Sequence, residues 1–393
     1  MIHAIAAVAG VVLMLITLPG TCELALLTFA GILPPRRRPP SGPGLQPAIA
    51  RLAIVVPAHD EAANIVRCVR SLAACDPPGD GCTASIVVIA DNCIDSTAEL
   101  AQSAGARVMV RIDAERRGKG FALEDAFATL LAENFGAVVV IDADTVVEPN
   151  LLLEIVALLD LGADGVQARY GVLNPIASIR TRLMNVALMA FNVLRPRSRD
   201  RLGLSVGIFG NGFALSRATL EAVPYAAHSI VEDLEYHLRL VRDGRRIEFA
   251  DRTTVRADMP AGGSGAETQR ARWEGGRFRM IANHSTGLAS EILRGNGKLA
   301  EPLLELVLFP LGYQVALLLT ALAIPFTPVR IYALAALSVV VIHVVGAIVV
   351  GGGNLEDFVS LLAAPVYLAW KLAIAPLIFK SARHNASWLR TSR

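Results

Sequence analysis

Ile141-Asp142-Ala143-Asp144 sets two carboxylates one residue apart, directly behind the apolar run Val138–Ile141. Hard oxygen donors in this arrangement can hold Mg²⁺ or Mn²⁺ against phosphate oxygens. Further acids stand behind other apolar runs: Asp60 and Glu61 after Leu52–Val56, and Asp91 after Ser85–Ala90. The usual backbone cradles for phosphate are missing. Arg117-Gly118-Lys119-Gly120 lacks the upstream glycine and the hydroxyl residue of a P-loop, and no G-x-G-x-x-G follows the first apolar run. A diphosphate meeting these carboxylates therefore needs a bridging cation. Each residue also has a plainer reading. Asp91 and Asp144 can cap helices that follow strands. Glu232-Asp233 opens a helical stretch to Asp243, where acids suit the helix dipole. Trp273 and Phe278 can be packing aromatics, and Lys119 a solvated lysine at a helix start.

The segments that must position these acids alternate in kind. Leu52–Val56 reads as a buried strand ending at Pro57, Glu61–Ala74 as a helix, Ser85–Ala90 as a strand and Ser96–Ala104 as a helix. Val108–Val110, Gly118–Asn134 and Ala137–Ile141 continue as strand, helix and strand. This alternation predicts an α/β domain with a mainly parallel sheet covered on both faces. Ligands bind such sheets at the carboxyl ends of the strands, where the acids lie.

Composition points to a membrane. The 393 residues are 53% hydrophobic and 18% charged, with a mean hydropathy of +0.49, against about 25% charged in a soluble domain. Ala4–Leu33 carries Glu23 as its single charge and is long enough to span. It has no basic region before it and is too long for a signal peptide. Arg36–Arg38 then marks the cytoplasmic side. Leu303–Phe326 and Ile331–Val350 read as two more spans. Phe358–Phe379 contains Pro365, Lys371 and Pro376, and reads as an interfacial or re-entrant helix. That keeps the basic tail (Lys380, Arg383, Arg390, Arg393) inside, whereas a third span would put it outside. Ile176–Leu194, followed by Arg195, Arg197, Arg199 and Arg201, fits a membrane-surface helix or a domain helix equally. The expected organisation is a transmembrane helix at 1–33, a Pro/Arg-rich linker at 34–50, a cytoplasmic catalytic domain at 51–300, two transmembrane helices at 301–350, and an interfacial or third transmembrane helix with the tail at 351–393. The five cysteines include no C-x-x-C pair and read as free thiols in a reducing compartment. A net charge of +2 gives no sign of nucleic-acid binding.

An ordered set of short motifs carries a resemblance. It comprises Val56-Pro57-Ala58-His59-Asp60-Glu61, Ala90-Asp91-Asn92-Cys93-Ile94-Asp95-Ser96-Thr97, Arg117-Gly118-Lys119-Gly120-Phe121-Ala122-Leu123, Asp142-Ala143-Asp144, Gly210-Asn211-Gly212, Val231-Glu232-Asp233, and Gln269-Arg270-Ala271-Arg272-Trp273. In this order, ending in Q-x-x-R-W, the set resembles a family 2 glycosyltransferase of GT-A fold, in the membrane-bound, cellulose-synthase-like branch of processive β-glycosyltransferases. The resemblance covers about Val56 to Trp273, with apolar segments on both sides.

The resemblance implies roles. Asp91 would hold the uracil or ribose of a UDP-sugar, and Glu61 would line the same nucleoside pocket. Asp144 would coordinate the metal on the diphosphate, with Asp142 beside the ribose or the metal. Asp233 would be the general base. Gln269, Arg272 and Trp273 would sit over the donor, and Lys119 matches a basic position near it. His59 falls where the family varies and takes no role. Inverting transfer needs one base at the acceptor hydroxyl, positive charge on the departing diphosphate, and no covalent intermediate. The implied enzyme is an inverting, metal-dependent hexosyltransferase of the cell inner membrane, multi-pass, with its catalytic domain in the cytoplasm. It would carry a UDP-hexose or UDP-N-acetylhexosamine to a growing polysaccharide, with polysaccharide-export proteins as candidate partners. The few membrane segments leave a lipid acceptor, ceramide- or hopanoid-like, as the alternative. A non-catalytic sugar-nucleotide sensor is the competing class, and the presence of every expected acid weighs against it.

Overall fold

A computed structural model describes residues 2–34, 49–229 and 231–377. Arg36–Arg38, nearly all of the expected linker and the basic tail from Lys380 lie outside the described residues. The chain opens with α1 (Ile2–Ile32), β1 (Arg51–Ala58), α2 (Ile65–Ala73), β2 (Thr83–Asp91), α3 (Thr97–Ser103) and β3 (Arg107–Arg111). It continues through α4 (Lys119–Ala132), β4 (Ala137–Val140), β5 (Thr145–Val147), α5 (Leu151–Asp160), β6 (Gly165–Val172) and α6 (Ile179–Met189). A π-helical turn, Ala190–Leu194, leads into α7 (Arg195–Leu202), β7 (Phe213–Ser216), α8 (Arg217–Ala222), α9 (Glu232–Arg242) and β8 (Ile247–Ala257). The last helices are α10 (Gly263–Leu293), α11 (Ala300–Val307), α12 (Leu311–Ala323), α13 (Thr327–Val350), α14 (Leu355–Ser360) and α15 (Ala364–Ala373). The described chain divides into two compact units, one of residues 49–175 and 203–260, the other of 2–34, 176–202 and 261–377.

The first unit is built on an eight-stranded sheet of order β3-β2-β1-β4-β7-β6-β8-β5. From β3 to β4 all neighbours are parallel, with Val55 beside both Val87 and Val140. The sheet is mixed rather than mainly parallel. β7 runs antiparallel to β4 and β6, β6 is parallel to β8, and β5 is antiparallel to β8. In β1, alternation decides which face each side chain joins. Leu52, Ile54 and Val56 pack with Ile65, Val69 and Leu72 of α2 and with Ile155 of α5. Ala53 and Val55 pack on the other face with Leu123, Phe127 and Leu130 of α4 and with Tyr236 and Leu240 of α9. Burial on both faces explains the unbroken apolar run that marks β1 in the sequence.

In the second unit, α1 and α13 are long and apolar enough to cross a membrane (Ala6–Ile32 and Thr327–Val350). Polar bonds join these helices where small or hydroxyl residues allow approach. Thr28 Oγ1 lies 2.8 Å from His343 Nδ1, and Thr17 Oγ1 2.9 Å from the Tyr332 hydroxyl. The basic run of α7 is engaged inside this unit. Arg195 pairs with Glu23, the single charge of α1, and the buried Arg199 sits between Glu301 (2.5 Å) and Glu305 (2.9 Å). Arg197 donates to the carbonyl of Leu33 (2.8 Å) and Arg201 to that of Pro34, where the dipole of α1 ends in negative charge.

The expected span Leu303–Phe326 is not one helix. It is broken between α11 and α12 with a bend of 70°. Pro310 has no N–H to continue the ladder and disfavours helix at Phe309. The carbonyls freed at the end of α11 are taken by Arg277, which donates to Glu305 (2.5 Å), Leu306 (3.2 Å) and Leu308 (2.5 Å). Counted as one span, this bent pair is the third candidate; otherwise there are two among the described residues. Within 358–377, the helices α14 and α15 are short, and the mid-segment Lys371 is buried against Glu274 at 2.8 Å.

Candidate active site

The acids of the first unit gather at the carboxyl ends of β1, β2 and β4, neighbouring parallel strands. Asp91 closes β2 and is almost fully buried. Its Oδ1 accepts from Arg111 Nη1 (2.8 Å) and from Asn92 Nδ2 (3.0 Å). Arg111, at the end of β3, also holds Asp125 (2.7 Å) and Asp113 (3.0 Å). Burial opposes its charge, but these carboxylates outweigh burial and raise its pKa. Asn92 adopts a left-handed conformation (φ +50°), which Asn tolerates better than most residues. From there its N–H reaches the Arg111 carbonyl (2.7 Å), while Asp113 N–H donates to its Oδ1 (2.9 Å). One side chain thus ties the ends of β2 and β3 together and fixes Asp91.

Glu61 follows β1. Its N–H donates to Thr97 Oγ1 (2.8 Å), and its carboxylate accepts from Asn64 Nδ2 (2.8 Å). His59, given no role from sequence, places Nδ1 2.7 Å from the Asp91 carbonyl. Asp60, Cys93 and Asp95 bring one ligand-type atom each within 4.8 Å of one another. Loop bonds account for this grouping. Asp60 accepts from Ile94 N–H (2.8 Å), Asp95 from Ala62 N–H (3.1 Å), and Cys93 Sγ from Asp60 N–H (3.4 Å).

The D-x-D follows β4. Asp144 is buried and Asp142 about one-third exposed. Lys119, at the start of α4, donates to Asp142 Oδ1 (2.6 Å) and to the Gly210 carbonyl. Asn211 lies beneath the motif, fully buried. It accepts from Asp142 N–H (3.1 Å) and donates to Thr145 Oγ1 (2.8 Å). Gln167, also fully buried, donates to the carbonyls of Asn211 (2.8 Å) and Gly212 (3.2 Å). Gly210 has φ +74°, and a Cβ there would sit 3.2 Å from Asp233 Oδ2 and 3.8 Å from Lys119 Nζ. The G-N-G motif is therefore a cradle that lets Lys119, Asp142 and Asp233 approach one backbone turn.

Glu232 and Asp233 begin α9, and Asp233 Oδ1 accepts from Leu234 N–H (2.8 Å). Burial, then the neighbouring Asp233 charge, pushes the Glu232 carboxyl up to about 7, against the opposing pull of Lys119. Burial also raises Asp233. The opposing carboxylates, Asp142 foremost, raise Lys119 despite its burial. The loop before α9 packs on α4: His228 stacks on Phe121 with centroids 3.9 Å apart and lies 3.0 Å from Glu124. Gln269, Arg272 and Trp273 stand on α10, in the other unit. There Gln269 is buried, Trp273 is half-buried, and Glu274 accepts from the Tyr313 hydroxyl (3.1 Å).

Lys119, Asp142, Gly210 and Asp233 thus converge, with Asp91 and Glu61 on the same strand-end edge. Arg111 and Gln167 carry no motif and escape sequence reasoning. Asn211 is visible only as the middle of G-N-G.

A family model described as "Glycosyltransferase like family 2" matches residues 49–276. The chain belongs to this family. It is 24% identical over 242 residues to "Probable glycosyltransferase YdaM" of Bacillus subtilis (strain 168), a match spanning 59% of this chain and 56% of that protein. It thus aligns with only about half the length of that relative. Among solved structures, it is similar to the mannosyltransferase PcManGT from Pyrobaculum calidifontis in complex with GDP-Man and Mn²⁺, at 21% identity, a TM-score of 0.56 and 97% coverage of each chain. That likeness concerns the fold. The first unit of this family 2 chain is accordingly a mixed α/β domain of GT-A type.

Proposed function

We propose that this chain is a membrane-bound, inverting glycosyltransferase of the cellulose-synthase-like branch, using a nucleotide sugar and a divalent metal. The observation that carries the reading is the convergence of Lys119, Asp142 and Asp233 around the Gly210 turn. It places a cation, a D-x-D acid and an acid with raised pKa in one cluster. Catalytic groups commonly have pKa values displaced in this way.

The donor set fits Mg²⁺ or Mn²⁺. Asp142 and Asp144 offer hard oxygens, the partly exposed Asp142 faces outward, and such ions commonly take one or two carboxylates and complete their shell with phosphates. When bound, the ion would offset charge on the departing diphosphate. The chain's own residues do the rest. Asp91, held by Arg111, and Glu61 would bind the nucleoside. Asp233 would accept the proton of the acceptor hydroxyl as its oxygen attacks the anomeric carbon from the face opposite the leaving diphosphate, which inverts that carbon. Gln269, Arg272 and Trp273 are assigned to the diphosphate and acceptor side by the Q-x-x-R-W motif.

We assign catalysis to 51–300 and the membrane segments to 1–33 and 301–350, with 351–393 interfacial or a further span, in a cell inner membrane with the catalytic domain cytoplasmic. The proposed acceptor is a growing polysaccharide, with export proteins as partners. The two or three candidate spans among the described residues favour a second reading, a lipid acceptor, because they are fewer than a self-secreting synthase is expected to use. The test is nucleoside diphosphate release by the purified full chain, with a panel of UDP-sugars plus GDP-mannose, the sugar nucleotide held by PcManGT, and with Mn²⁺ or EDTA. Mass spectrometry of the product then separates a polymer from a monoglycosylated lipid. Donor binding without turnover for every sugar and acceptor extract would overturn the enzymatic reading.

A further inference from the structure

Between α8 and α9 the chain runs through Val223–Ser229 with no helix or strand, so side chains must hold what no backbone ladder holds. This strap is fastened along its length. Tyr236 of α9, fully buried, donates to the Val223 carbonyl (2.6 Å). The buried Tyr225 packs on the Tyr236 ring (centroids 4.5 Å apart) and edge-on to Phe127 of α4 (5.3 Å). The Ala227 carbonyl lies against Gly120 of α4, where a Cβ would come 2.1 Å from its oxygen. His228 lies flat on Phe121, 9° from parallel with centroids 3.9 Å apart, and its Nε2 is 3.0 Å from Glu124 Oε2. Arg116 steadies the same place, 5.1 Å from the Phe121 centroid and 2.6 Å from Glu124. Ser229 N–H then donates to Glu235 Oε2 (3.2 Å).

The start of α4 therefore grips two things at once. Lys119 holds Asp142 and the Gly210 turn, while Gly120, Phe121 and Glu124 hold the strap. Glu232 and Asp233 follow the strap directly into α9. A slide of the strap along α4 is thus carried into the distance between Asp233 and the Lys119–Asp142 pair. Of the holds made by His228, the stack is the stronger. Its partner Glu124 is shared with Arg116, and both His228 and Glu124 are 31% exposed, so solvent screens that contact. Ring-on-ring contact escapes this screening and fixes an orientation as well as a distance.

We propose that His228 is a positioning residue for the transfer reaction, holding the strap on α4 through Phe121 so that Asp233 meets the Lys119–Asp142 pair. The proposal rests on the assignment of Asp233 as the base. His228 acts through the five residues that separate it from Asp233, and the ring, rather than its titration, does the holding.

The test uses the full chain in detergent and reads kcat, donor KM, thermal unfolding and backbone hydrogen exchange. In His228→Ala, kcat should fall about 10–100-fold with donor KM within about twofold of wild type, since a misplacement near 1 Å costs a rate of that order. His228→Phe keeps a ring on Phe121 and should restore kcat to within about threefold of wild type. The amides of Glu232–Glu235 should exchange faster in His228→Ala and at the wild-type rate in His228→Phe. Exchange needs no turnover, so it decides whether His228 fixes Asp233 even if the wild type releases no nucleoside diphosphate. That absence would overturn the enzymatic reading, and an active Asp233→Asn enzyme would overturn the base. The positioning role itself is overturned by wild-type kcat in His228→Ala, by unchanged exchange at Glu232–Glu235, or by a His228→Phe enzyme as impaired as His228→Ala. Activity that falls only in step with a lower unfolding temperature in both variants marks a purely structural contact and overturns it as well.

Discussion

Asp233→Asn separates catalysis from structure at the centre of the proposed mechanism. Asp233 Oδ1 accepts from Leu234 N–H, and an asparagine amide oxygen, also an acceptor, can keep that 2.8 Å bond. The fold should therefore be unaffected, and so should the Lys119–Asp142 pair, which does not pass through Asp233. What the amide cannot do is take a proton. A positioned acid or base contributes about 10²–10⁴-fold, so turnover should fall by that factor, equivalent to about 3–5 kcal/mol in the barrier. The loss should appear in kcat, with the donor KM within about threefold of wild type, because the role assigned to the group is at the acceptor. The assay is nucleoside diphosphate release against donor concentration, with thermal unfolding as the control for folding. A second signature comes from the pH profile. The raised Asp233 must be ionised to act, so wild-type kcat should rise with pH through a limb displaced upward from the ordinary aspartate value. An Asp233→Asn enzyme with near-wild-type turnover would refute the assignment, and so would an unfolding temperature that falls along with activity.

Three further outcomes follow from the same geometry. Glu232 has a folded pKa of about 7, above its ordinary 4.5. Between these values the folded chain holds a proton that the unfolded chain has lost, so stability should fall as pH rises through that window, and Glu232→Gln should flatten the dependence; an unchanged pH–stability curve counts against the buried pair. Asp144→Ala should abolish metal-dependent donor binding, measured by titrating a nucleotide sugar with Mn²⁺ and with EDTA, and unchanged metal dependence would remove Asp144 from the ion. Arg277→Met should leave three carbonyls at the end of α11 without their donor; at 1–3 kcal/mol per buried unsatisfied group, partly offset by relief of the buried charge, a net loss of about 2 kcal/mol is expected, read as a thermal shift of about 4 °C in detergent, and an unshifted midpoint would show that water or a rearranged turn serves those carbonyls.

What was legible in the sequence follows physical range. β1, β2 and β4 stand out because burial on both faces demands an unbroken apolar run, and the acids are visible because they terminate those runs. β5 and β7 are three and four residues long, too short for any periodicity to register, which is why the sheet reads as mainly parallel until its antiparallel half is seen. The break after α11 is written locally in Pro310, yet hydropathy passes over it because apolar residues lie on both sides.

The residues that hold the site in shape are the hidden ones, because their chemistry depends on partners the fold supplies from far along the chain. Gln167 is a polar residue in a strand until Asn211, 44 positions later, is brought under it. Arg111 is one of many arginines until β3 sets it beside Asp91, 20 positions earlier. Lys119 reads equally as a solvated helix-start lysine until the Gly210 turn brings a carbonyl and the Asp142 carboxylate to its ammonium. In each case the residue type permits the role and only long-range packing selects it. A carboxylate at a strand end can be named from sequence as a ligand or a base, but its pKa and orientation belong to neighbours that no local spacing encodes. For Asp233 those neighbours include Lys119 and Asp142, 114 and 91 positions away, so the acid strength of the proposed base is a property of the folded chain.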